Sequence, residues 1–267
     1  NPLTGLPVDD QTLLQQRPVL VKIANWPQGL RPAAGLNQAD LVFEYYIGAQ
    51  TNHFLAVYHG QNSEQVGPLA PARMVDARLS EHYQGILAYA SADNTVEMVL
   101  SEVLPGRSFV RGFTPCPAMC NLTDAGGENT YVNTGAMREL YQAENPDGDN
   151  VNLSGLDFAS HLSEWDAEAL QLSYLYADFS VMQWDYDPQS GQYQLSQDYA
   201  APDGSISIAP SYDRVDGTPI AFDNIIVLFA SYIEYGTSLY DIDFREGDPH
   251  QPALVLRDGK LLYGTWM

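Results

Sequence analysis

The sequence predicts an α/β (α+β) fold, an N-terminal mixed sheet with helices followed by a β-rich C-terminal domain. Three observations carry the prediction. Between residues 18 and 144, strand-length apolar runs alternate with helically spaced segments, the signature of α/β layering. From about residue 150 the text turns to short runs rich in β-branched and aromatic residues, separated by turn chemistry such as "DPQSG" and "RDGK". Apolar residues make up 45% of the 267, with 17 Tyr and 9 Phe, which is enough for a substantial core and argues against disorder. The change of character falls near residues 145 to 160, so domains over 1–150 and 151–267 are expected.

The elements follow in order. "PVLVKIA" (18–24) is a continuous apolar run bounded by Pro18 and the turn text "NWPQGLRP", and it reads as a buried strand. "ADLVFEYYIG" (39–48) and "NHFLAVYHG" (52–60) read as a hairpin or as neighbouring strands. "RMVDARLSEHYQ" (73–84) places Met74, Arg78, Leu79 and Tyr83 at helical spacing, and "GILAYAS" (85–91) is again strand-like. Asp93 or Asn94 is expected to cap a helix over "TVEMVLSEV", stopped by Pro105 and Gly106. Residues 107 to 130 read as one long irregular stretch, after which Asn133 or Thr134 caps the short helix "GAMRELYQAE". In the second half, strands are expected at "QLSYLYADF", "SVMQWDYD", "GQYQLSQD", "SISIAP", "DNIIVLFAS", "PALVLRDGK" and "LLYGTW".

Charge narrows the function. Thirty-four acidic residues against twelve basic ones give a net charge of −22, which excludes the electrostatic footprint needed for nucleic acid and disfavours an anionic membrane surface. There is no run of 18 apolar residues. The chain starts at "NPLTGLP" without a methionine, so a processed N-terminus is expected, and a strand directly before Met267 suggests that the natural chain continues. Only Lys22 and Lys260 are lysines, while Asn, Gln, Ser and Tyr abound, a composition that fits a location outside the cytoplasm.

No catalytic set is recognisable, so catalytic residues stay unassigned. A G-x-S-x-G nucleophile turn is missing, as is a glycine-rich phosphate loop, and 34 carboxylates offer no means of choosing a pair. His53 and His59, six apart in a strand, would lie about 20 Å apart and cannot chelate one metal ion. Cys116 and Cys120 in "CPAMC" can close a small disulfide, remain as thiols, or supply half of a zinc site, the last lacking further ligands nearby. Asp147 and Asp149 in "NPDGDNVNLSG" have the composition of a calcium loop without its EF-hand order, and a solvated inter-domain turn is the plainer reading. No cofactor is expected.

Basic and aromatic groups remain. Arg73 in "GPLAPAR" would open a helix, where it could present an anion site together with backbone N–H groups, or hold loop carbonyls as a structural peg. Arg78, five positions on, points to a different face. A pocket joining Arg73, Arg78 and Arg31 would favour anion chemistry. Trp26 and the tyrosines of "EYYIG" could line a sugar- or peptide-binding groove, or could cover the core.

The ordered pieces "NPLTGLP", "RPVLVKIANWPQGLRPAAGLNQADLVFEYY", "TNHFLAVYHG", "VGPLAPAR" and "YVNTGAMREL" resemble a bacterial family of unknown function, the YerB-like lipoproteins (DUF3048). "WDYDPQSGQYQL", "FDNIIVL" and "LVLRDGKLLYGTW" are similar to that family's second domain. The resemblance implies an extracytoplasmic chain at the cell surface, held to the membrane only through a lipid anchor outside this sequence, and it brings no established reaction. The chain departs from the family pattern G-P-x-R-S-A-R, having Ala70 and Pro71 where Arg and Ser stand, and His53 takes the place of a usual arginine. Both departures weaken an anion site, and Arg73 is expected mainly to hold its loop.

Three functions follow as expectations. The first is a non-catalytic binding or assembly module of the envelope, with cell-wall glycan or envelope proteins as partners. The second is an envelope enzyme acting on phosphorylated or lipid-linked glycans, in which Arg73 would meet a pyrophosphate. The third is a homo-oligomer or a subunit of an extracellular surface polymer.

Overall fold

A computed structural model describes residues 1–122, 129–146, 151–159, 164–201, 203–236, 239–243 and 251–266. The chain divides into two compact units. The first comprises Asn1–Tyr45 and Asn52–Phe158, the second Tyr46–Thr51 and Ala159–Met267.

In the first unit, β1 (Val19–Ala24), β2 (Leu41–Gly48), β3 (Thr51–Tyr58), β4 (Ile86–Tyr89) and β5 (Ser108–Val110) form one mixed sheet in the order β2-β3-β1-β4-β5. β3 runs antiparallel to β1, whereas β1, β4 and β5 run parallel. Helices α1 (Met74–His82) and α2 (Asn94–Val103) make the crossovers into β4 and β5, as parallel pairs require. All six positions of central β1 are buried, which is why its sequence is an unbroken run instead of an alternation. Burial of each large apolar side chain there contributes roughly 1.5–3 kcal/mol.

The helix ends are written locally. Asp93 Oδ1 accepts the Thr95 N–H at 2.8 Å at the start of α2, whose buried residues Val96 and Leu100 lie four apart on one face. Asn133 Oδ1 accepts the Ala136 N–H at 2.9 Å and opens α3 (Thr134–Glu144), which buries Met137, Arg138 and Tyr141. The two-residue link between β2 and β3 uses Ala49 (φ 52°) and Gln50 (φ 60°), both left-handed. Residues 68 to 70 are threaded between the C-terminal ends of β1 and β4. Ala24 donates to Pro68 O, Ala70 donates to Lys22 O, and Ala90 donates to Ala70 O, at 2.8–2.9 Å.

The stretch expected to be irregular contains order. Besides β5, it holds β6 (Met119–Asn121), which pairs with β7 (Thr130–Val132). A disulfide joins Cys116, just ahead of β6, to Cys120 within it, four residues on. A three-residue strand with mixed exposure carries too little periodicity to be seen in sequence.

The second unit is built almost wholly of strands. β8 (Ala167–Glu168), β9 (Gln171–Ala177), β10 (Ser180–Asp187), β11 (Gln192–Ala200), β12 (Ile206–Pro210), β13 (Ala221–Phe222), β14 (Asn224–Leu228), β15 (Ser231–Gly236), β16 (Leu239–Asp243), β17 (Gln251–Arg257) and β18 (Lys260–Trp266) follow one another. One sheet has the order β12-β11-β10-β9, with β13 also on β11; a second has β14-β17-β18-β8; β15 and β16 pair with each other. β10 and β11 show the alternation of a half-buried sheet, with Met182, Trp184, Tyr193 and Leu195 inside. The α/β class with a β-rich C-terminal part is thus as the sequence predicts, while β8, β13 and β15 escape prediction as short or largely exposed strands, and β16 escapes it with them.

Candidate functional site

The most unusual chemistry of the first unit lies beside the C-terminal end of β1. Lys22 is the fourth residue of that buried strand, and its side chain has no exposure. Its ammonium lies 3.2 Å from Asp76 Oδ1, donates to Tyr45 Oη at 2.9 Å, and stands 4.1 Å from the centre of the Tyr45 ring. The Tyr45 hydroxyl in turn donates to Asp76 Oδ1. The other carboxylate oxygen accepts the Arg73 N–H at 2.6 Å, half of a capping box at the start of α1. Asp76 therefore ties strand β1, strand β2 and the first turn of α1 together. Burial lowers the Lys22 ammonium to about 8; the carboxylate of Asp76 pulls upward and the charge of Arg73 pushes further down.

Arg73 is half-buried at the N-cap of α1. Its Nη1 donates to Ala72 O at 3.1 Å, while its buried Nε has no hydrogen-bond partner among the described residues. The Nη1 bond goes to a carbonyl of the loop that precedes α1. Arg31, by comparison, is buried, with Nε donating to Asn25 O at 2.8 Å, where it braces the turn after β1. Arg78 lies further along α1 and is half-buried. The charge of Arg73 is felt by both Lys22 and His53.

His53 opposes Ala24 across the β1–β3 ladder, as Leu55 opposes Lys22. Directly paired residues of an antiparallel ladder project to one face, and so do residues two apart, so His53 and Lys22 share a face. Because Lys22 reaches Asp76 of α1, that face is the one α1 covers. His53 is only 4% exposed. Nε2 lies 3.3 Å from Trp26 O, and Nδ1 is buried with no partner among the described residues. Burial holds the imidazole well below its ordinary 6.5, helped by the charges of Lys22 and Arg73 and opposed by the Trp26 carbonyl. On the opposite face of β3, Asn52 receives Asn25 Nδ2 at 3.0 Å and donates to Glu44 Oε1 at 2.7 Å.

Of the aromatic residues that could line a groove or cover the core, Tyr45 is 4% exposed and belongs to the Lys22 cluster. Tyr46 packs with Tyr176, Tyr232 and Tyr240 in the second unit. Trp26 is half-buried and contributes its carbonyl to His53. Asp147 and Asp149 lie outside the described residues, and no group of three or more metal-ligating side chains occurs among the described ones. Two clefts lie elsewhere in this unit. One of about 150 Å³ is lined by Arg17, Arg138, Tyr141 and Asn145 among others, and one of about 190 Å³ by Pro115, Pro117, Ala136 and Leu140 among others. In the first, Arg138 is already committed, to Asn62 Oδ1, Tyr58 O and Arg17 O.

The residues that sequence reasoning missed are Lys22 and Asp76. Their signal was present: a lysine in the middle of an otherwise apolar strand is almost never buried without an acid to meet it.

A mixed α/β unit with a buried ionic cluster, followed by an antiparallel β unit, defines a two-part class of chain. The chain belongs to the DUF3048 family: the N-terminal domain of this protein of unknown function matches residues 3–145, and the family's C-terminal domain matches residues 170–267. The "Putative lipoprotein YerB" of Bacillus subtilis (strain 168) is similar to it, 27% identical over 281 residues that cover 99% of this chain and 77% of the relative. The crystal structure of YerB protein from Bacillus subtilis shares the fold, with a TM-score of 0.78 and 24% identity over 98% of this chain and 85% of that one.

Proposed function

We propose that this chain is the extracytoplasmic part of a cell-envelope lipoprotein and serves as a binding module whose first unit takes an anionic group at Arg73. The observation that carries the reading is the Arg73 guanidinium, half-buried at the start of α1 with Nε unpartnered among the described residues. Helix N-terminal N–H groups and a guanidinium together favour a carboxylate or phosphate. Lys22 and His53 both feel the charge of Arg73, and the Asp76 carboxylate beside it is already engaged by the Arg73 N–H, Tyr45 and Lys22. The lipoprotein part rests on the name of the Bacillus subtilis relative, and the Cys116–Cys120 disulfide fits an oxidising compartment.

Calorimetric titration of the purified protein with inorganic phosphate and with a glycerol-phosphate oligomer tests the reading. Saturable binding that weakens at least tenfold in Arg73→Gln and stays unchanged in Lys260→Gln is expected. Equal binding by both variants would overturn it. Turnover of a phosphorylated glycan, lost in Arg73→Gln, would replace the module by an enzyme.

A further inference from the structure

We propose that the Cys116–Cys120 disulfide exchanges with cysteine pairs of extended polypeptides and oxidises them, while the cleft beside it holds an apolar side chain next to the attacking cysteine. The proposal is independent of the anion site and starts from where the bond lies. Cys116 is exposed, whereas Cys120 is half-buried within β6, where it pairs with Tyr131 of β7. Both chain neighbours of Cys116, Pro115 and Pro117, line the cleft of about 190 Å³, together with Ala118, Ala136 and Leu140. Apolar walls around roughly 150 Å³ accommodate a benzene ring, so this cleft has room for a leucine or phenylalanine side chain. Among its described lining residues only Glu139 is charged. Phe113, three residues ahead of Cys116 in the chain, is 89% exposed. Apolar groups left open around a reactive bond suit a polypeptide better than a small hydrophilic thiol.

The backbone around the bond is held by other means. The Met119 N–H donates to Pro115 O and the Asn133 N–H to Ala118 O, both at 3.1 Å, and β6 pairs with β7. These contacts keep the two sulfurs near each other when the bond opens, which favours its closing again. So short a ring also constrains the unfolded chain little. Access of the incoming thiolate governs exchange, and Cys116 is the accessible partner. A substrate thiolate attacks Cys116 Sγ, forming a mixed disulfide as the bond to Cys120 breaks; the electron pair leaves on Cys120 Sγ, which takes up a proton. The second substrate thiolate then attacks the substrate sulfur of the mixed disulfide and releases Cys116 Sγ, which is protonated in turn. The substrate pair loses two electrons and two protons, and the two cysteines of this chain gain them.

The experiment mixes the oxidised protein, without oxygen and at equal concentration, with either of two reduced peptides that carry a cysteine pair and differ only in having leucine or serine beside the first cysteine. Acid quenching and mass spectrometry give the oxidation rates and the position of the mixed disulfide. The free cyclic peptide Cys-Pro-Ala-Met-Cys, which has the bond without the cleft, serves as the reference. The protein is expected to oxidise the leucine peptide at least tenfold faster than the serine peptide, and the free ring to treat the two within twofold. The mixed disulfide should map to Cys116, and Leu140→Gln should bring the preference below threefold. A bond inert toward both peptides would overturn the proposal, and so would equal rates for the two or a mixed disulfide on Cys120. Should Leu140→Gln fail to fold, the preference of the unmodified protein against that of the free ring decides.

Discussion

The Lys22 ammonium and the Asp76 carboxylate meet at 3.2 Å with both side chains wholly inside the first unit. Such a pair contributes little net stability against a well-packed apolar substitute, but breaking one side leaves an uncompensated buried charge. Asp76→Asn should therefore destabilise the protein by about 3–5 kcal/mol, read from urea midpoints. The double variant Lys22→Met with Asp76→Asn should recover at least ~1 kcal/mol relative to the sum of the single changes. Simple additivity would show that the contact is energetically idle.

Two buried histidines set a pH limit. Burial brings His59 down to about 4, aided by the charge of Arg138 and the N-terminal ammonium, and His53 is held well below 6.5. The unfolded chain, with histidines near 6.5, binds more protons than the folded one below that pH, so stability is lost as pH falls from 6.5 toward 4. Each histidine contributes a slope of at most ~1.4 kcal/mol per pH unit. Unfolding followed at pH 7, 6 and 5 should show the stability advantage of the parent over His59→Gln shrinking on acidification. An advantage independent of pH would mean that His59 charges equally well in both states.

The β2–β3 link places Ala49 and Gln50 at positive φ, a conformation costing non-glycine residues roughly 1–2 kcal/mol each. Two-residue hairpin links of this kind favour Asn-Gly. The double change Ala49→Asn with Gln50→Gly should stabilise by about 1 kcal/mol in a thermal melt, and a loss would mean that the two side chains have contacts worth more than the backbone cost.

The disulfide closes a ring from Cys116 to Cys120, so its effect on the unfolded chain is small. Loop-closure entropy for five residues gives about 2 kcal/mol. Replacing both cysteines by alanine should lower stability by that amount under oxidising conditions and by nothing measurable in reductant.

Sequence periodicity was strong where one physical demand dominated. The unbroken "VLVKIA" announced a strand buried on both faces, and Asp93 and Asn133 announced α2 and α3 through the capping oxygens they present. It failed for β6 and β13, three and two residues long, because so few positions complete no period. At the site, Arg73 and His53 were legible as unusual basic groups in an acidic chain. Their grouping with Lys22 was not, since it depends on the β1–β3 register and on which face α1 covers, both set by contacts far apart in sequence. For Tyr45 the sequence left groove and core cover both open, because residue type marks only an amphipathic ring and the fold decides whether its hydroxyl meets water or Asp76.

The seclusion of Lys22 also makes the chain its own chemical reporter. Of its two lysines, Lys260 stands in solvent and Lys22 is sealed. An amine-directed acylating reagent applied to the native protein meets Lys260 and the α-amine, whereas Lys22 becomes acylated only in molecules that have opened around β1. Counting acyl groups by mass after a short pulse thus reads the opening of the first unit alone, without any engineered probe.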